Sequence, residues 1–307
     1  MIANFFNKSK PEKGFVIIVL LLIYFISTLI FTEKFIYSAS NLLSKGSLFI
    51  VLLLFVFIVD FIIKKNRLTK DNYFGILIVV ILIGIFHNVV VSPKLIYTNL
   101  FLLLAYRKIF SLHSGVSIKM KLFDAAFWVG VALLIYPLSA VFLILIYTGI
   151  IIYQKIELKN LVIPIIGVLI PVFLYYVYCL YVLDFQAFKN NLSIQTSLEF
   201  NHYLQNTFTV ILPFLGVFML ISIISVSPKI IMVSNKLKLS WQLVVFQFFL
   251  ALVVVILVSE KSGAEFLFVL FPAAVIIANY LQKNKSRIVR NLILYMLLLL
   301  SVISFLL

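Results

Sequence analysis

The feature that most constrains this chain is an alternation repeated along its length, in which long apolar runs are each closed by a short basic knot. Residues 14–32 (GFVIIVLLLIYFISTLIFT) carry no charged side chain, and a later run ends in KKNR at 64–67. At 1.5 Å per residue a run of that length makes a helix of about 28 Å, close to the roughly 30 Å of hydrocarbon in a bilayer. A helix bonds its own backbone donors and acceptors where water cannot reach them. A transmembrane barrel would instead alternate polar and apolar residues. Composition agrees: of 307 residues 64% are hydrophobic and 11% charged, too few polar side chains to cover a water-soluble globule. No polar stretch exceeds about twenty-five residues, well short of a separate soluble domain. The expected fold class is therefore all-α, a polytopic transmembrane helix bundle of about eleven helices forming one integral membrane domain over residues 1–307.

The net charge of +15 raises the question of nucleic acid, which the placement of the 25 basic residues answers. With spans alternating from a cytoplasmic N-terminus, 20 of them fall on the inner side and five, Lys34, Lys45, Lys94, Lys189 and Lys261, outside. That is the asymmetry of membrane insertion, and its counterpart is anionic membrane lipid, with no nucleic acid partner. The expected location is the plasma (inner) membrane, with the N-terminus in and the C-terminus out. The run at 14–32 exceeds the roughly 7–15 residues of a signal-peptide core and reads as an uncleaved anchor. The single cysteine, Cys179, rules out a disulfide or thiolate metal site within one chain.

The expected spans are 14–32, 47–63, 73–91, 93–107, 161–183, 207–226, 240–258, 266–281 and 291–307. Residues 122–153 supply two more. As one helix they would measure about 48 Å, so they are expected to fold back at Pro137 as a short hairpin whose turn needs protein or water around it. Outer stripes at helical spacing, Phe35, Ala39, Leu42 and Leu43 in one segment and Phe185, Phe188 and Leu192 in the outer segment 184–206, suit either interfacial helices or loops.

Ionisable groups in the membrane are candidates for function. Asp60 stands four residues before Lys64 and is expected to pair with it. Asp124 is assigned in the same way to nearby Lys121. His87 and Asn88 sit at the outer end of the third span, where they face a polar cavity or simply the interface. The other outer groups include Glu33, Asp184, Glu199, Glu260, Glu265, His202 and Lys261. GxGxxG, Walker, HExxH and CxxC patterns are all absent, so nucleotide-driven pumping and metal hydrolysis lack a motif, and no cofactor or metal is expected.

Two segments resemble the GT-C-type polytopic membrane glycosyltransferases that use lipid-linked sugars. KLFDAAFWVGVALLIYPLSAVFLILIYTGIIIYQK at 121–155 is similar to their small-residue helix leading to a proline-marked turn and an apolar return. SEKSGAEFLFVLFPAAVIIANYL at 259–281 is similar to their outer acidic turn and proline-containing helix. The resemblance covers under a fifth of the chain. It implies a membrane-embedded cavity open to the outer side, accepting a polyprenyl-phosphate-linked sugar. On that reading Glu33 and Glu265 are the catalytic candidates, with a carboxylate deprotonating the acceptor. His87, Asp184, Glu260 and Lys261 bind substrate, a basic group holding the lipid phosphate. Those enzymes carry their acidic residue in a sizeable first outer loop, whereas here that segment has about a dozen residues and only Glu33. Two other readings fit the same sequence: a noncatalytic subunit docking with membrane protein partners in an envelope complex, and a transporter or flippase with broken helices.

Overall fold

The structure is a computed structural model that describes residues 2–7, 10–31, 39–205, 208–232 and 235–306. Its elements are helical: α1 (Ile2–Phe6), α2 (Pro11–Phe31), α3 (Ala39–Asn66), α4 (Phe74–Ile85), α5 (Pro93–Phe110), α6 (Ile118–Ile135), α7 (Leu143–Ile152) and α8 (Leu158–Tyr181). Then come α9 (Phe185–Leu192), α10 (Asn201–Gln205), α11 (Phe208–Ile231), α12 (Asn235–Leu257), α13 (Leu267–Lys283) and α14 (Arg287–Leu306). Short 3-10 turns lie at His87–Val89, Ser111–Ser114, Pro137–Phe142 and Ala264–Phe266. Among the described residues the sole extended pairing is an isolated antiparallel bridge from Thr196 to Val258.

Among the described residues eight helices are long and apolar enough to cross a membrane. They are α2, α3, α5, α8, α11, α12, α13 and α14, and the stretches Phe74–Ile85 and Pro137–Ile152 are apolar but shorter. At about 18 Å, α4 is too short to span, and all twelve of its residues are buried. It packs beside α13, of whose apolar window 94% is buried, and α13 in turn is flanked by α11 and α12. By contrast only 17% of the α8 window is covered by protein, which fits a helix whose solvent is lipid. This gradient orders the bundle from a protein-clad axis to a lipid-clad rim.

Close approach follows from small residues. A Cβ on Gly130 of α6 would stand 2.5 Å from the Pro171 ring of α8, and one on Gly167 of α8 would stand 2.7 Å from the Ala126 methyl of α6. The first and last long helices also meet, through Tyr24 Oη to Ser301 Oγ at 2.6 Å, and Ser304 of α14 donates to the Gly84 carbonyl of α4 at 3.1 Å.

The helix ends sort into two chemistries. At one end the lysines converge: the Lys64 ammonium pairs with Asp60 at 2.8 Å and lies over the Tyr73 ring, and Asn279 donates to the Leu68 carbonyl at 2.9 Å. Asp124 does not pair with Lys121. It meets Lys108 of α5 at 2.6 Å, while Lys121 donates to the Ser111 carbonyl and Ser114 hydroxyl that close the turn after α5. An uncapped helix end thus outcompetes the near-sequence carboxylate for that ammonium.

The first outer stripe differs in form from the sequence expectation, and the second takes one of its two expected forms. α3 begins at Ala39, eight residues before the expected 47, so Ala39, Leu42 and Leu43 of the first stripe continue the span; Phe35 lies outside the described residues. The second stripe is the helix α9, with Phe185 and Phe188 against Tyr176 and Phe188 also against Tyr175 of α8. Between α6 and the turn at Pro137–Phe142 the helix is broken by Tyr136 in an extended conformation.

A Gly167→Ala change inserts a methyl where none fits and is expected to destabilise by about 1–3 kcal/mol. Gly216→Ala, at a position with nothing within 4 Å, is expected to be neutral. Thermal unfolding in detergent compares the two.

Candidate functional site

At the end opposite the converging lysines, the turn between α12 and α13 is built on the sequence Ser262-Gly263-Ala264-Glu265. The Glu265 carboxylate accepts the Ser262 backbone N–H at 3.2 Å and the Gly263 N–H at 2.9 Å, while Ser262 Oγ accepts the Ala264 N–H at 3.3 Å. This is a capping box, in which a serine and the glutamate three residues on satisfy the orphan donors of a helix start. Gly263 takes φ +91°, and a Cβ there would meet the Phe208 ring at 2.4 Å, so both backbone and space require glycine.

Tyr203 and Lys261 tie this turn to its surroundings. The Tyr203 hydroxyl of α10 donates to Glu265, which is wholly buried. Lys261 reaches back to the end of α12, to the Ile256 carbonyl at 2.9 Å and that of Val258 just beyond the helix at 2.6 Å, and to the Ser197 carbonyl at 3.0 Å, under the Phe200 ring. The ammonium therefore closes a helix C-terminus, where a cation also meets the negative end of the dipole. Burial pulls the Lys261 ammonium below its ordinary pKa, with the Glu265 charge acting against it. Asn88, just after α4, donates to the Ser262 carbonyl at 2.6 Å.

Cavities flank this turn on two sides. One, of about 430 Å³, runs between α4, α11, α12 and α13 and is apolar except at Tyr203; Gly216, Leu215, Phe248, Leu270 and Ala273 are among its walls. The other, of about 380 Å³, is polar and is enclosed by Lys94, Tyr136, Pro137, Asn190, Asn191, Gln195, Ser259 and Glu260. Burial, and then the charges of Glu265 and Glu260, push the Tyr136 phenol up to about 12. Burial and the Glu265 charge also push Tyr203 up. Both phenols stay protonated at neutral pH, and Tyr203 donates its proton to the Glu265 hydrogen bond.

A family model described as a family of unknown function, DUF6427, matches residues 7–307. The chain belongs to the DUF6427 family. No curated protein and no solved structure matches it.

In this DUF6427 chain the site residues expected from sequence fall into distinct roles. Glu260, Lys261 and Glu265 share one turn. Glu265 and Lys261 are engaged as its internal struts, whereas Glu260 is exposed on the polar cavity. Asp184 caps α9, accepting the Ala187 N–H at 2.9 Å, while the far end of that helix brings Asn190 and Asn191 to the cavity. His87 stacks on Phe305 of α14 at 4.7 Å, on neither cavity wall, with Nδ1 buried and unbonded. Glu33 lies outside the described residues. Sequence reading missed Tyr136, Tyr203, Lys94 and the Asn pair, which only folding brings together. The capping box itself was readable, since serine and glutamate at that spacing precede an apolar run.

Replacing Glu265 by alanine strands the Ser262, Gly263 and Tyr203 donors in a buried site and is expected to lower stability by at least about 3 kcal/mol, read from denaturation in detergent.

Proposed function

We propose that this protein is a plasma-membrane protein that binds an amphiphilic lipid at its less basic end, the chain in the apolar cavity and the polar head in the cavity beside Lys94. The observation that carries the reading is the pairing of an apolar and a polar cavity of comparable size on the two sides of one buried turn. A ligand half hydrocarbon and half hydrogen-bonding group fits that division, whereas a small polar solute has no use for the larger apolar half.

In this reading about eleven helices thread the bilayer, α4 and α7 reaching only part of the way through it, with the N-terminus and the converging lysines in the cytoplasm and the cavities at the outer face. Asn190, Asn191, Gln195 and the Tyr136 hydroxyl offer neutral donors and acceptors to a hydroxyl-rich head, and Lys94 a cation to a phosphate. Those are the features of a lipid-linked sugar, the substrate class implied by the likeness of segments 121–155 and 259–281 to GT-C-type enzymes. For sugar transfer, the carboxylate with open space to deprotonate an acceptor is Glu260. Glu265, bonded on both oxygens, positions the turn.

Purified protein in nanodiscs, titrated with a fluorescent polyprenyl phosphate, tests the reading. Gly216→Trp, which fills the apolar cavity, is expected to weaken binding at least tenfold, about 1.4 kcal/mol. Equal binding by the filled variant and the parent would sink the proposal. Sugar release from a polyprenyl-phosphate sugar that vanishes in Glu260→Gln, with binding intact, would identify the catalytic form of the activity.

A further inference from the structure

At the basic end, where α11 and α13 terminate side by side, their last turns leave a cavity of about 330 Å³ between Ser225, Lys229, Tyr280, Lys283, Asn284 and Lys285. No carboxylate lines it among the described residues, and the charges of Lys70 and Lys229 both bear on Lys283. Lysines in the last turn of a helix ordinarily answer the helix dipole, and Lys229 and Lys283 each occupy such a turn. The dipole accounts for only part of the charge. Two helix C-termini contribute about −0.5 each, against three ammonium groups on the cavity wall, leaving about two positive charges without a counterpart on the cavity wall among the described residues. The Lys283 side chain is half-buried, so it cannot shed that repulsion by swinging wholly into water.

The remaining wall groups suit an oxyanion. The Ser225 and Tyr280 hydroxyls and the Asn284 amide are hydrogen-bond donors, and lysines bind phosphate as point charges. One turn above Ser225 on the same helix face stands Ile221, with Ile224 beside it and Val217 one turn further on. All three are exposed apolar residues. A phosphate seated among the lysines would therefore have its attached hydrocarbon directed along α11.

We propose that this cavity binds the phosphate of an anionic phospholipid from the leaflet at the basic end, its acyl chains lying along α11. The site is separate from the two cavities at the other end and does not rest on what they bind. Because the occupant touches both α11 and α13, binding stabilises the folded protein by mass action.

The test uses full-length protein stripped of lipid in neutral detergent, then given phosphatidylglycerol, phosphatidylcholine or glycerol phosphate. Retained lipid is counted by native mass spectrometry and the thermal midpoint is followed. Phosphatidylglycerol is expected to be retained and to raise the midpoint by several degrees, and the other two to do neither. Lys229→Gln/Lys283→Gln/Lys285→Gln is expected to reduce phosphatidylglycerol retention at least tenfold, while Lys119→Gln/Lys155→Gln/Lys159→Gln, basic residues elsewhere, leaves it unchanged. Equal loss in both triple variants would mean diffuse surface attraction, and an equal midpoint rise with glycerol phosphate would mean a free phosphate. Either result overturns the proposal. Should the first triple variant fail to fold, Lys285→Gln alone, exposed and beyond the helix end, decides by the same retention measurement.

Discussion

Everything at the less basic end of this molecule depends on one buried carboxylate. Glu265 has no contact with solvent, and a charge in that position persists only when its oxygens are saturated by donors. Two backbone amides, a serine and a tyrosine meet that requirement, and each draws a different piece of chain into place. The amides start α13, the tyrosine pins α10, and the neighbouring Lys261 ties the segment after α9 to the end of α12. The two cavities are the spaces left around this knot.

The same knot explains why the cavities differ. On the side of α4, α11 and α12 the walls are span residues, whose neighbours in the bundle are apolar, so the space there inherits hydrocarbon character. On the other side the walls come from chain ends and connections: the start of α5, the break at Tyr136, the end of α9 and the turn itself. Such segments carry unpaired backbone groups and polar side chains because no helix ladder absorbs them. A polar compartment beside an apolar one is thus a geometric result of where helices stop.

The helices were largely legible in the sequence because their cause is local: an apolar run flanked by lysines bonds its own backbone wherever it lies. The Asp60–Lys64 pair was legible for the same reason, one helical turn being a fixed distance. Asp124 was misassigned because its partner, Lys108, arrives from another helix, and Lys121 was drawn off by an uncapped turn that no spacing rule displays. Asp184 and Lys261 look like free charges in sequence, yet each finishes a helix end, which becomes visible only once the ends are known. The early start of α3 is compatible with the absence of proline from residues 32–46, so the helix extends beyond the apolar run.

The meeting of α2 with α14 has a consequence for biogenesis. The Tyr24 hydroxyl is bonded to Ser301, and the Gly84 carbonyl of α4 accepts from Ser304. A growing chain places α2 and α4 in the bilayer long before α14 leaves the ribosome. For that interval these oxygens lack their serine partners, so the seam between the earliest and latest helices is the last joint of the bundle to seal.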